Sequence, residues 1–423
     1  MNLIKNLAKL KTSERRAVAL KILEAGLGAI QPNKVLADTL SRDGDTVYIK
    51  NKKFNLRKFE RVFMIGFGKG SGEISVRLEK VLGDNLTEGF VIDTTPIDFK
   101  KAHFTLGTHP LPSKVNVDFT ERVLGSLKNL NKKDLVIIVV CGGGSALFEA
   151  PHSLSVAKLT VVSSRLLNSG ANISEMNVVR KHLSKVKGGG LAKHLYPAKI
   201  VNLIFSDVPG NHLSVIASGP TVRDRSTSKK ALSILNKYKI ESSLIPDSAL
   251  TELPKDEKYF EQVSNVMMLS NQTALTAMQV EAKKLGFKSA IFSDRVEGDA
   301  KKIGKKLIEQ TPPGKILLAG GETTVTVTGS GKGGRNQTLV LASLPVQDDT
   351  LILSFDSDGV DYYKFGGAIG DSETLTKAEK LKLDPQAFLN DDDSSTFFEK
   401  IGDGIFTDKL GSNVADLIMV LKI

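Results

Sequence analysis

Residues Val136 to Leu147 read VIIVVCGGGSAL. A run of β-branched residues leads into three consecutive glycines, then a serine, an alanine and further apolar residues. This predicts a buried parallel strand, a tight turn and a helix start. Gly142, Gly143 and Gly144 allow positive φ and a close approach of backbone to a ligand. The N–H groups that follow, and the Ser145 hydroxyl, would face outward at a helix N-terminus, where anions are favoured. The alternative is a tight strand-to-helix turn that touches no ligand. Four further Gly- or Asp-rich turns end apolar strands in the same way, which favours a phosphate site: GFGKGSG (Gly66–Gly72), SDVPGN (Ser206–Asn211), the tract beginning at Gly320, and DSDGVD (Asp356–Asp361).

Working outward, strands are expected at Arg61–Ile65, Gly89–Asp93, Phe104–His109 and Lys199–Phe205, with helices between them. That alternation predicts an α/β fold, a Rossmann-like doubly wound parallel sheet. Arg223–Lys258 is polar and weakly patterned and reads as a connecting segment, with a hinge over Arg223–Ser228. The pattern then restarts with more hairpin character, which predicts a smaller α/β domain with a mixed sheet. The expected domains are residues 1–225 and 226–423. Thr12 or Ser13 is placed to cap an N-terminal helix, Glu14 to about Leu27, and Ser174 to cap one running to about Lys187.

The 423 residues carry a net charge of +11, with one cysteine and no tryptophan. The lysines are scattered, without a basic tract or an aromatic-rich stripe, so small anionic ligands are a better match than nucleic acid. No apolar run is long enough to span a membrane, and no signal-peptide pattern is expected. A single cysteine excludes an intrachain disulfide and a cysteine metal cluster and points to a reducing cytoplasm; Cys141 itself reads as a small hydrophobe.

GFGKGSG stands where a dinucleotide fingerprint would, but its third glycine position is Ser71. Asp93 falls where a ribose-binding acid would lie, which keeps an NAD(P)H-dependent reductase as an alternative. Lys69 in the same loop suits a phosphate or carboxylate. Asp207, at the end of a buried strand, suits Mg²⁺ or a hydroxyl proton, with capping of the next turn as the alternative. Glu175, Asn177, Arg180, Lys181 and His182 form a polar set around one helix, read either as a site or as a solvated face. In GGETTVTVTGSGKGGRNQ (Gly320–Gln337), two glycine clusters flank an expected short strand. Glu322 follows the first cluster, and Arg335 with Asn336 follows the second. A guanidinium at a helix N-terminus opposes the dipole, and a bound anion would resolve the conflict. Asp356, Asp358 and Asp361 suit a Mg²⁺ or water site, or simply an Asp-rich turn. No histidine has zinc-ligand spacing.

Together GFGKGSG, GTHPLP, VVCGGGSAL, SGANISEMNVVRKHLSKVKGGGLA, SDVPGNHLSVIASGPT and GGETTVTVTGSGKGGRNQ resemble the glycerate 2-kinase family, two-domain enzymes whose C-terminal half is the MOFRL domain. The resemblance spans nearly the whole chain. It implies a Rossmann-like domain plus a smaller α/β domain with the active site in the cleft between them. The activity implied is ATP- and Mg²⁺-dependent phosphorylation of D-glycerate at the 2-hydroxyl. It implies that Lys69 and Arg335 are the key cationic residues; together with the readings above, the catalytic candidates are Lys69, Arg335 and Asp207, and Gly142, Gly143, Gly144, Ser145, Lys187 and Gly189 are the candidates for the nucleotide phosphates. Lys69, Ser71, Arg335 and Asn336 would bind substrate, and Asp207, Glu322 and Asp358 would hold metal. Partners would be D-glycerate and nucleotide, without nucleic acid or membrane; the oligomer is left open, a homodimer being one option. Two departures stand out: Tyr362 replaces a glycine of the family's DGTDG, and Asp408–Val414 reads DKLGSNV where the family has GPTGTNV. Arg335 is expected to clamp an anion between the domains, and its replacement to leave the ligand-free fold almost unaffected.

Overall fold

The structure, a computed structural model, describes residues 2–423. The chain forms two compact units. One comprises Leu36–Ser206 and Asn211–Met268; the other comprises the segment ending at Val35, then Asp207–Gly210 and Leu269–Ile423. The division differs from a single boundary at 225/226 in the segment ending at Val35, in Asp207–Gly210, and in residues 226–268.

The strands, in chain order, are β1 (Leu40–Asp43), β2 (Thr46–Ile49), β3 (Lys52–Asn55), β4 (Arg61–Phe67), β5 (Leu86–Asp93), β6 (His103–Leu106), β7 (Asp134–Val140), β8 (Lys199–Phe205) and β9 (Val263–Leu269). They continue as β10 (Lys288–Asp299), β11 (Lys315–Thr324), β12 (Thr350–Asp356), β13 (Gly367–Gly370), β14 (Gly404–Ile405) and β15 (Asp416–Lys422). The first unit is built on a sheet of order β6-β5-β4-β7-β8-β9. β4 pairs in parallel with β5 and β7, β5 with β6, and β7 with β8. Every residue of β7 is buried, as its unbroken apolar run requires. The register sets Phe67 opposite Val140, so the glycine loops that follow β4 and β7 leave the same edge of the sheet. A small antiparallel sheet, β1-β2-β3, accompanies it.

The segment read as a connector is part of this unit's core. Helix Ser228–Lys237 brings Ile234 and Leu235 against Leu159, Val162, Leu166, Met176 and Val179. Lys181 pairs with Asp224 at 2.6 Å, both nearly buried, which pins the segment to helix Ile173–His182. That helix begins at Asn172, not Ser174: Asn172 and Glu175 form a capping box, and the helix stops at His182.

The second unit carries the expected mixed sheet, order β10-β11-β15-β12-β13-β14. β10 and β11 run parallel; β15 pairs antiparallel with β11 and β12, β13 with β12, and β14 with β13. The N-terminal helix Glu14–Ala29 belongs here because of one residue. Arg16 is fully buried and donates to Asp371 at 2.8 and 2.6 Å and to Asp403 at 2.7 and 3.0 Å. Gly320 and Gly321 lie within β11, and Val325–Gly334 contains no strand, so the strand expected between the glycine clusters is displaced towards the N-terminus. The 325–334 loop is held by three consecutive aspartates: Thr328 and Gly329 donate to Asp392, Ser330 to Asp391 and Lys332 to Asp393. A Cβ on Gly329 would lie 2.2 Å from the Asp391 carbonyl oxygen, so glycine there serves backbone packing.

Candidate functional site

In the first unit the β4 and β7 loops are joined by main-chain bonds. Cys141 N–H donates to the Phe67 carbonyl at 3.0 Å, and Lys69 N–H donates to the Gly142 carbonyl at 2.8 Å. Gly68 has φ +111°, and a Cβ there would be 2.4 Å from the Cys141 carbonyl oxygen, so only glycine allows the approach. Of the three consecutive glycines, only Gly143 adopts positive φ, +74°. The helix that follows is one turn, Gly144–Leu147, far shorter than the glycine-serine turn suggests. Leu147, Phe148 and Ala150 are buried and Phe148 stacks on Phe67 at 4.5 Å, so the apolar run packs inward instead of continuing the helix. A helix this short has little dipole to offer an anion.

Lys69 is exposed at the loop surface, its side chain alongside Gly143. Ser71, expected to bind substrate, is fully buried and its hydroxyl already donates to the Ile92 carbonyl at 3.1 Å. Asp93 is 2% exposed and accepts from the N–H groups of Gly70, Gly72 and Thr94 at 3.2, 2.8 and 2.6 Å. It fastens the GFGKGSG loop to β5 and is occupied in doing so.

A pocket of about 210 Å³ opens beside these loops, lined among others by His109, Ser145, Glu149, Arg180 and Lys187. Ser145 Oγ lies 2.8 Å from Ser218 Oγ. Ala217 and Ser218 have φ of 48° and 60°, strained values for residues with side chains, and strain of this kind gathers at functional sites. Lys187 is buried and paired with Glu149; burial pushes its ammonium pKa down, and Glu149 opposes the fall. Gly189 is also inside the fold, φ +91°, where a Cβ would meet the Phe260 ring at 2.8 Å, and its N–H already donates to the Gly219 carbonyl at 2.9 Å. The polar set divides. Glu175 caps its helix and bonds Lys237 and Tyr238, Lys181 pairs with Asp224, and His182 contacts the Thr251 carbonyl and Ser226. Asn177 is buried, and Arg180 alone of the set lines the pocket.

In the second unit, Arg335 opens helix Arg335–Ser343 as expected, but protein carboxylates surround it. Its Nε meets Asp416 at 2.8 and 3.1 Å, one terminal nitrogen meets Asp356 at 2.8 Å, and the other meets Glu322 at 3.3 Å. Burial alone would lower the guanidinium pKa; Asp416, Asp356 and Glu322 outweigh it and hold it above its ordinary value. Asp361 accepts from the N–H groups of Asn336 and Gln337 at 3.2 and 2.9 Å, supplying the first helical turn with an acceptor. The charge conflict seen in the sequence is therefore resolved within the protein, without requiring an anion. Asn336 is fully buried, donating to Asp416 and accepting from Ser354, and so is not placed to bind substrate.

Burial, with Asp416 and Asp358 nearby, pushes the Asp356 carboxyl pKa up to about 8 against the opposing effect of Arg335. Burial likewise raises Asp361 to about 6. Asp358 closes a turn, its carboxylate accepting from Val360 N–H at 2.9 Å. Glu322 is half exposed; burial raises its carboxyl pKa, as do Asp416, Asp207 and Glu297, while Arg335 opposes them. Among the described residues, no three His, Cys, Asp or Glu side chains converge on a metal position, so Asp207, Glu322 and Asp358 do not form a ready-made cage. Glu149 and Asp416 escape a reading by motif: each is a lone acid at the edge of an apolar run, and that placement is the only signal either one leaves.

Among the described residues, no helix is long and apolar enough to cross a membrane. Residues 18–253 match the family described as a domain of unknown function, DUF4147, and residues 315–416 match the MOFRL family. The chain is 33% identical to the glycerate 2-kinase of Pyrococcus horikoshii over 96% of this chain and 97% of that protein. It is 34% identical to the D-glycerate 2-kinase of Thermotoga maritima, over 96% and 98%. The crystal structure of a Thermotoga maritima glycerate kinase superposes with a TM-score of 0.84 at 32% identity, covering 96% of this chain and 99% of that one. Motifs, two-unit α/β architecture and full-length similarity agree: this chain belongs to the glycerate 2-kinase family.

Proposed function

We propose that the protein transfers the γ-phosphoryl group of ATP to the 2-hydroxyl of D-glycerate, giving 2-phosphoglycerate and ADP. The observation that carries this reading is the pocket beside the two joined glycine loops, with Lys69 at the loop surface and Arg180 in the lining. Phosphoryl transfer asks the protein chiefly for positioning and charge stabilisation, and this pocket offers both. Lys69 is free to follow the transferring group because its backbone is fixed and its side chain is solvated. Asp207 would either accept the hydroxyl proton or serve as a metal ligand. Arg335, locked by its carboxylates, is a fixed positive charge with one edge on the half-exposed Glu322.

Mg²⁺ is usually held by one or two carboxylates together with substrate phosphates and waters. Glu322 and Asp207 suit that role: both are hard oxygen donors, and they are close enough for Asp207 to raise the Glu322 carboxyl pKa. When bound, the ion would neutralise charge on the phosphates.

The competing reductase reading needs Asp93 to receive a ribose, and its carboxylate is buried and already accepts three main-chain N–H groups. The test is to incubate the protein with ATP, Mg²⁺ and D-glycerate and record a ³¹P-coupled proton spectrum of the product. Phosphate on O2 is expected. The 3-phosphate isomer, or NADH oxidation at 340 nm with hydroxypyruvate in place of phosphoryl transfer, would overturn the reading.

A further inference from the structure

Three groups in the first-unit pocket can be compared by what already engages them. The charge of Lys187 is cancelled by Glu149. Glu149 uses one carboxylate oxygen for that pair; its other oxygen, Oε1, is buried and has no hydrogen-bond partner. Arg180 lines the same pocket and is half-buried, and among the described residues its guanidinium has neither a hydrogen-bond nor an ion-pair partner. An unpartnered guanidinium and an orphaned carboxylate oxygen are both costly when removed from water. Burial lowers the Arg180 pKa, and only Glu149 opposes the fall. The pocket therefore holds one surplus cationic donor and one surplus acceptor. Its complement is an anion with a hydroxyl beside it. The volume of about 210 Å³ admits a three-carbon acid or part of a phosphate chain, and is below the roughly 300–1,000 Å³ of pockets that enclose drug-sized ligands.

We infer that Arg180 and Glu149 recognise an anionic group with a neighbouring hydroxyl: Arg180 takes the anion through its planar fork, and Glu149 Oε1 accepts the hydroxyl proton in a hydrogen bond. The inference rests on the phosphoryl-transfer reading, under which two ligands carry this chemistry, the carboxylate end of glycerate and the ribose-phosphate of the nucleotide.

Binding of D-glycerate and of ADP, each measured alone by titration calorimetry on the full chain, separates the two sources and is read apart from turnover. Arg180→Met is expected to weaken one of them by about 10- to 100-fold and to leave the other within about threefold. Arg180→Lys should recover part of the loss, and Glu149→Gln should weaken the same ligand. The melting temperature of Arg180→Met without ligand should match or exceed wild type, because no partner is left behind. Wild type that binds neither probe, a folded Arg180→Met that binds both as wild type does, or an equal loss for both ligands would each overturn the assignment. Binding that responds as expected without formation of 2-phosphoglycerate would instead overturn the functional reading and leave the recognition pair standing.

Discussion

Replacing Arg335 by methionine should destabilise the ligand-free protein, and more so as the pH rises. Asp356 and Asp416 contact its guanidinium and their side chains are only 6% and 1% exposed. They titrate as a pair. Burial raises both carboxyl pKa values, Asp356 to about 8, and Arg335 opposes the rise in each. Without Arg335 that opposition is lost, any carboxylate charge left in the pair is buried and unpaired, and the folded state takes up a further proton. Binding that proton against an unfolded-state pKa of about 3.9 costs about 1.36 kcal/mol per pH unit above it, or about 4 kcal/mol at pH 7 and about 2 kcal/mol at pH 5.5. The figure at pH 7 agrees with the roughly 3–5 kcal/mol expected when one partner of a buried pair is removed. The sign follows from linkage: a carboxyl whose folded pKa is raised contributes stability at low pH that is lost as pH rises towards that folded pKa. Glu322, half exposed, adds little. Urea unfolding of wild type and Arg335→Met at pH 5.5 and pH 7, at equal ionic strength, measures both deficits. Equal deficits at the two pH values, or none at pH 7, would refute the reasoning. This replaces the sequence-based expectation that Arg335 substitutions leave the ligand-free fold almost unaffected.

Three further outcomes are expected. Lys69→Ala should abolish turnover while stability stays within about 0.5 kcal/mol of wild type, since the side chain is exposed; a calorimetric melt beside the kinase assay checks both. Gly68→Ala should destabilise by about 1–3 kcal/mol, because its Cβ would meet the Cys141 carbonyl and φ is +111°; unchanged unfolding would mean that the joined loops yield easily. Arg16→Met should cost about 3–5 kcal/mol, by leaving Asp371 and Asp403 buried without their partner, and hydrogen exchange should show helix Glu14–Ala29 released first; protection as in wild type would show that apolar packing alone retains the helix.

Local pattern determined a good deal. The apolar run of β7 and its glycine turn are legible because burial on both faces demands continuous apolar residues, and a sharp exit demands glycine. The same logic reads β4, β5 and β8, and the motifs carried the family. The mixed second sheet was visible as a loss of strict strand–helix alternation. What the sequence could not decide is which polar residue meets which. Arg335 and Asp416 are 81 positions apart, and Arg16 and Asp403 are 387 apart; no periodicity encodes such a pair. For the same reason Ser71 and Asn336 read as open polar groups until tertiary packing buried them, and Lys187 read as a free cation until Glu149 neutralised it. Helix Glu14–Ala29 reads as a helix in the sequence, whereas helix Ser228–Lys237 lies in a stretch that reads as a polar connector, and neither pattern names the surface on which it packs. Only the folded chain assigns the first to the buried aspartates of the C-terminal unit and the second to the core beneath Ile173–His182, because their anchoring charges, Arg16 and the Asp224 partner of Lys181, find their counter-ions in three dimensions.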